Sequence, residues 1–393
     1  FFFFFFFAES IRIRETGQWV SKLKSIKIRR FKQLDDFEIE VDDSTVLIGA
    51  NNAGKSSVLQ AIHFAVAVAQ TAKLVGERVR WGNDRFELSF NPGLLLYSPV
   101  SDVLSLAFGG NLVESTSRQI EIEITLEDDT SCLLTLRRGR NRNIQVALRG
   151  RLVGERLMDF DQPFTIYAPG LAGIAKDERY MSPGVVRRVV ARGDANLVLR
   201  NVLLMLNEEE RLEKELLFQQ TRLEHQKASE AYEKKQGPAP EPFFQRVRAL
   251  RARKGPWGNF LDDMRFLFPG LSIHIQFDID RDETINVFFQ KGTGPQLPIE
   301  AAGTSILQAC QIIAYVALFK PKVLILDEPD SHLHPNNQRA LCDLITRLAA
   351  SRGFRVLMST HSRHVLDSLK DRAKLIWMNT GEKIVYDTAT TPT

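Results

Sequence analysis

Cysteine is scarce in this chain of 393 residues. Cys132, Cys310 and Cys342 are scattered without metal-ligand spacing, which excludes a disulfide framework or a cysteine-built zinc site and points to a reducing, cytoplasmic setting. An excess of one charge is also lacking. The 52 Lys and Arg against 48 Asp and Glu leave a net +4, so a basic surface can arise only by clustering. Beyond the N-terminus no run of about 18 apolar residues occurs, and no membrane span is expected. The seven phenylalanines at 1–7 lack a basic segment before them and a small-residue cleavage site after them, so they read as an artefact or a disordered end rather than a leader.

What remains is an ordinary globular composition, 44% hydrophobic and 25% charged, at a length that predicts one large α/β domain with an insertion, or two domains. Residues 22–49 alternate apolar and polar residues on either side of an acidic turn, predicting a hairpin that leads into a buried strand at Thr45–Ile48. Helical spacing follows over 55–75. Alternation returns at 119–126, 131–136 and 143–148, an antiparallel sheet with a basic turn before its last strand. The stretch Ala195–Lys235 has no Pro or Gly and predicts one long helix, ended by "QGPAPEP". Its Leu212, Leu216 and Leu223 form a seam of two heptads, enough for a short helical arm. A basic helix over 243–254 and strand alternation over 271–290 come next. The segments 303–319, 323–327, 336–350, 355–359 and 362–370 then read helix, strand, helix, strand, helix. The division expected is an N-terminal lobe at 20–182, a helical insertion at 183–265 and a C-terminal lobe at 266–385.

"GANNAGKSS" at 49–57 satisfies G-x-x-x-x-G-K-[ST] and stands between a buried strand and an amphipathic helix, the context in which such a loop cradles phosphates. Backbone N–H groups of Gly49, Asn51, Asn52, Ala53, Gly54, Lys55, Ser56 and Ser57 can surround the phosphate oxygens. Lys55 brings a mobile charge to the β/γ oxygens, and Ser56 a hydroxyl for Mg²⁺. Hydrolysis also needs a metal anchor and a group that activates water. "VLILD" at 323–327 is an apolar strand ending in Asp327, placed to hold Mg²⁺, and Glu328 would polarise the attacking water as general base. "RVLMSTHS" at 355–362 is a second buried strand that brings His361 to the γ-phosphate, where it can orient water. The acid pair is followed by His332 and His334, so "LDEPDSHLHP" also admits a metal cluster. Such a site needs further ligands, and Asp327 and Glu328 are already committed to ATP.

Together these motifs resemble the ATPase heads of the ABC/SMC-like class. More narrowly they resemble the OLD-type group, which includes ATPase subunits of bacterial anti-phage systems such as Septu, Gabija and PARIS. The resemblance rests on "IKIRRFKQLDDFEIEVDDSTVLIGANNAGKSS", "IYAPGLAGI", "ARGDANLVLRNVLLML", "AAGTSILQ", "LILDEPDSHLHP" and "MSTHS", in the family's order over roughly 22–370. It implies an α/β fold: an ABC-type ATPase head with a mixed sheet and helices, an antiparallel sheet and a helical insertion. It also implies two heads that sandwich ATP, making the chain a homodimer or a higher homo-oligomer. Ala302, Gly303, Thr304 and Ser305 match the signature segment that contacts the γ-phosphate of the other head, without its usual Ser-Gly-Gly core. Ser331, His332, Leu333 and His334 match the loop that crosses the dimer interface, where the histidines would carry the state of the ATP site between subunits. "IYAPGLAGI" falls where related heads carry a magnesium-touching glutamine, but contains none.

Some OLD-type proteins carry a TOPRIM nuclease domain after the ATPase. The tail of this sequence has no clustered carboxylates and is too short for such a core, so nuclease activity is expected in a separate effector protein, or in a part of the protein outside this sequence. Basic clusters at 137–142, 187–192 and 246–254 are candidates for DNA contact, or for salt bridges to the acidic run at 207–215. No aromatics interleave with them, so single-strand stacking is not indicated. Three functions stay open: an anti-phage ATPase controlling an effector, a DNA-repair ATPase of RecF/SMC-like type, and a nucleotide-locked scaffold with little turnover.

Overall fold

The structure is a computed structural model and describes residues 21–76, 79–169, 174–175, 178–331 and 333–384. Two six-stranded sheets enclose one helix. The first sheet is antiparallel, built from β1 (Leu23–Phe31), β2 (Leu34–Glu40), β4 (Arg85–Phe90), β5 (Ile120–Leu126), β6 (Ser131–Arg138) and β7 (Ile144–Arg149) in the order β2-β1-β5-β6-β7-β4. Its strands alternate cleanly, as with Ile120, Ile122, Ile124 and Leu126 of β5 buried, so one face packs inward and the other meets water.

The second sheet holds β3 (Ser44–Ile48), β8 (Thr165–Pro169), β12 (Val323–Asp327), β13 (Arg355–Ser359), β14 (Lys374–Asn379) and β15 (Glu382–Ile384), ordered β15-β14-β3-β13-β12-β8. All neighbours but β15 run parallel. All five residues of β3 and of β13 are buried, the continuous apolar pattern of strands covered on both faces.

Between the sheets lies α1 (Lys55–Val75), packed on strands of both and buried through almost all of its length. By length and apolar composition alone α1 would pass for a membrane span, contrary to the expectation that no such segment exists. Yet 78% of the relevant stretch is buried inside the protein, as suits a helix that is apolar all round because two sheets cover it. The opposite face of the parallel sheet is covered by α7 (Thr304–Phe319), α8 (Pro335–Arg352), α6 (Pro256–Leu267) and the first turns of α4 (Leu199–Glu233), which together form a second core. A small sheet of β9 (Leu271–Gln276), β10 (Asn286–Lys291) and β11 (Leu297–Pro298) borders it, and the short helices α2 (Arg151–Leu157), α3 (Pro183–Ala191) and α9 (Arg363–Leu369) complete the head.

The fold is the expected α/β ATPase head, with three local corrections. The first hairpin turns at Lys32–Gln33, with Lys32 at φ 53°, and not at the acidic pair; Asp35 and Asp36 continue β2, where Asp36 faces Arg29 across the strands. The expected seam of leucines does not form on the arm. Helix α4 is 35 residues long, about 52 Å at 1.5 Å per residue. It is buried only from Leu199 to Glu210, and Leu223 is 57% exposed. The contacts that fold α5 (Phe243–Ala252) back onto it come from Phe218 and His225 against Phe243. Finally, 271–290 is not continuous strand, because 277–285 leaves the sheet between β9 and β10.

Candidate nucleotide site

In parallel register, Asp327 of β12 stands beside Ser359 of β13 on one side and Pro169 of β8 on the other, while Ser359 also pairs with Leu47 of β3. The C-terminal ends of four neighbouring strands are thereby level along one edge, the place where open parallel sheets bind ligands. The loop 49–54 leaves β3 at that edge and turns into α1, whose N-terminus faces the same side.

Two glycines give this loop its shape. A Cβ on Gly49 would lie 2.4 Å from the Met378 carbonyl oxygen of β14, so only glycine allows the loop to press against that strand. Gly54 caps α1 at φ 102°, in the left-handed region. Asn51 and Asn52 sit exposed on the loop, while Ala53 and Ser57 are buried beneath it.

Lys55 folds back into the loop. Its Nζ donates to the carbonyls of Gly49 at 2.9 Å and Ala50 at 3.0 Å, and lies 2.9 Å from His361 Nε2. Burial pulls the Lys55 pKa below its ordinary value, against the opposing pull of the Glu328 and Asp327 carboxylates. His361 Nε2 also lies 3.1 Å from Glu328 Oε1. An ammonium can only donate and a carboxylate only accept, so this one ring nitrogen can bond Lys55 or Glu328 in turn but not both at once.

The magnesium pair expected from the sequence is also brought together. Ser56 Oγ donates to Asp327 Oδ1 at 3.1 Å, Ser359 Oγ donates to the same oxygen at 2.6 Å, and Tyr167 OH donates to Oδ2 at 3.0 Å. A serine hydroxyl beside a carboxylate oxygen is a hard-oxygen donor set, and it fits Mg²⁺. Glu328, one residue on, has φ 52°, uncommon for a residue other than glycine, and its N–H is held by the Ser359 carbonyl at 3.1 Å and hydroxyl at 3.0 Å. That conformation turns the Glu328 side chain out of the strand toward His361.

The remaining candidates lie elsewhere or act differently. Gly303 is exposed and Ser305 half-buried at the start of α7, and among the described residues no hydrogen bond joins them to the loop of their own chain. His332 is outside the described residues. His334 caps α8, its Nδ1 accepting from the Asn336 N–H at 3.4 Å. Among the described residues no group of three or more His, Cys, Asp or Glu is arranged to hold a metal ion. On α5 the cationic face is partly neutralised: Arg246 pairs with Glu224 and Arg253 with Glu213 of α4.

The sequence reading missed Tyr167 and Asp330. Asp330 is buried, accepts from Thr360 Oγ1 at 2.9 Å, and has its pKa raised by that burial, so it ties the segment after Glu328 to the segment before His361. Tyr167 lies in "IYAPGLAGI", a segment marked by position but not by a recognisable ligand.

A family profile described as "AAA ATPase domain" matches residues 22–239, more than half of the sequence. The chain belongs to that family. A second profile, an AAA domain named for the AbiEii toxin of type IV TA systems, matches residues 197–367. Over 90 residues this AAA ATPase is 34% identical to the cell division ATP-binding protein FtsE of Mycobacterium tuberculosis, covering 23% of the chain and 38% of FtsE. It is 36% identical over 64 residues to the methionine import ATP-binding protein MetN of Burkholderia thailandensis, covering 16% and 19%. The matches thus span well under half of these curated relatives. The Smc head domain of Pyrococcus furiosus, solved with an extended coiled coil and bound to the C-terminal domain of ScpA, has the same fold. It superposes with a TM-score of 0.51 at 16% identity over 93% of this chain and 95% of that one. This AAA ATPase thus has the fold of an SMC head.

Proposed function

We propose that this chain hydrolyses ATP as the OLD-type ATPase subunit of a cytoplasmic bacterial anti-phage complex. Closure of two heads around ATP would control a separate effector, a nuclease. The observation that carries the ATPase reading is the convergence of Lys55, Ser56, Asp327, Glu328 and His361, drawn from sites some 300 positions apart, within hydrogen-bonding distance along one sheet edge. Loop 49–57 binds the phosphates, with Lys55 leaving its carbonyl partners to meet them. Ser56 and Asp327 would hold Mg²⁺, which would supply charge neutralisation on the transferred phosphoryl group. Glu328 is the general base, and His361, released by Lys55, donates to Glu328 or to the γ-phosphate and keeps the water in line. Exposed Gly303 and half-buried Ser305 reach the nucleotide of the opposing head. The lobes 20–182 and 266–385 form that head together with α3, α6 and the first turns of α4 from the insertion 183–265, and the remainder of the insertion, the outer length of α4 with α5, projects as the arm that meets the effector. A profile named for a toxin of TA systems is in keeping with a bacterial two-component setting.

Glu328→Gln tests the reaction. Hydrolysis is expected to fall at least about 100-fold while ATP still binds and a stable dimer accumulates; hydrolysis at the parental rate refutes the assignment. A second reading, a DNA-repair ATPase, is favoured by Arg248 and Arg251, which are exposed on α5. Stimulation of turnover by DNA supports it, whereas an effector that co-purifies stably without any DNA response supports the defence reading.

A further inference from the structure

We propose that Tyr167 is a positioning residue for Asp327, holding that carboxylate in the rotation that offers Oδ1 to the metal beside Ser56. The inference rests on reading Asp327 and Ser56 as the magnesium ligands. Tyr167 sits on β8 opposite Ile325 of β12, two residues before Asp327. Side chains two apart on a strand share a face, so Tyr167, Ile325 and Asp327 all point to the α1 side of the sheet. There Tyr167 is buried and reaches along the sheet to place its hydroxyl at the open edge, 3.0 Å from Asp327 Oδ2.

The ring is fixed from behind. His63 of α1 stacks on Tyr167 with centroids 5.5 Å apart and planes 20° from parallel, and Tyr97 packs against both rings at 4.7 Å and 6.1 Å. His63 is itself held by Thr165, its Nδ1 lying 3.0 Å from Oγ1. A carboxylate oxygen can only accept, so in this pair the phenol hydroxyl is the donor. With Oδ2 occupied by Tyr167, the oxygen turned to Ser56 is Oδ1. The carboxylate cannot spin about its axis without breaking the Tyr167 bond, and partners that orient a metal ligand are commonly worth about 10–100-fold in metal affinity. Tyr167 bonds the carboxylate oxygen other than the one beside Ser56, so it orders the metal site from behind Asp327.

Tyr167→Phe removes the hydroxyl and keeps the stacked ring. Binding of a fluorescent ATP analogue is measured as Mg²⁺ is titrated, and again in EDTA, for the full chain. The expected result is a rise of about tenfold in half-saturating Mg²⁺, with affinity in EDTA and thermal midpoint unchanged. An unaltered Mg²⁺ dependence overturns the proposal, and so does an equal loss of affinity in EDTA, which would place the hydroxyl's effect on the loop or the fold. If the parental chain itself binds the analogue no better with Mg²⁺ than in EDTA, the reading of Asp327 and Ser56 fails as well. A parental Mg²⁺ response that Tyr167→Phe leaves in place refutes this inference alone.

Discussion

Acidification should weaken this fold through His63, and the size of the effect follows from where that residue sits. The imidazole is sealed between α1 and β8, and burial pushes its pKa down from 6.5 to about 4. For a histidine held neutral in the folded state, the contribution to stability is complete above pH 6.5. It is lost as the pH falls from about 6.5 toward 4, because in that window only the unfolded chain takes up the proton. At pH 5 the unfolded ring is almost fully charged and the folded ring is not, so this one group removes about 2 kcal/mol relative to pH 7. Other groups titrate over the same range, and His63→Gln separates them: glutamine can still reach Thr165 and does not ionise. Urea unfolding at pH 7, 6 and 5 is expected to show the parental chain losing about 2 kcal/mol more than the variant between pH 7 and 5. Equal pH dependence for both chains would refute the reasoning, whatever their difference in stability at pH 7.

Glu178 is buried beneath the start of α4, where it accepts from the backbone N–H groups of Arg200 and Asn201 and from both side chains. With side-chain exposures of 0% and 4% for Glu178 and Arg200, Glu178→Ala should cost about 3–5 kcal/mol and lower the thermal midpoint, while Glu178→Gln should cost less. Gly49→Ala drives a Cβ into the Met378 carbonyl and should destabilise by about 1–3 kcal/mol; ATP affinity, read by calorimetry, should fall with it, and a variant that binds ATP normally would count against the close approach of loop and strand. Lys55→Ala should abolish detectable ATP binding while leaving the melting curve nearly unchanged, since among the described residues the bonds of Lys55 go to loop carbonyls and His361. If DNA binds the arm through its basic stretch 246–254, Arg248 and Arg251 are the residues there without an ion pair among the described residues, and reversing both to Glu should reduce the log–log salt slope of duplex binding by about 2.

Much of the site was legible along the chain because its parts are local. The loop 49–57 is a contiguous motif between a strand and a helix, and α1 and β12 have the bounds their periodicity predicts. Strands β3 and β13 were equally visible, as short apolar runs bounded by polar residues. Strands β4, β8 and β14 were not assigned from sequence; β8 runs straight into a Pro-Gly segment that carries no clear periodicity. The leucine seam failed for a related reason: spacing alone shows which residues share a helix face, not whether anything covers it. On the arm the covering residue is Phe243, and it meets Phe218 and His225 instead of Leu223.

Residue types and their local spacing set the chemistry available: a phosphate-binding loop, a carboxylate pair after an apolar strand, and a histidine after another. Each is a short-range pattern, and short-range patterns follow from backbone geometry and residue type. Only the tertiary structure decided which of these groups touch. Parallel pairing sets Asp327 level with Ser359, and the turn from β3 into α1 brings Ser56 and Lys55 to the same edge. It also decided what no motif announces, that Asp327 leans on Tyr167 and Tyr167 on His63, because those contacts join strands and a helix more than 100 residues apart and depend on register and burial rather than on spacing.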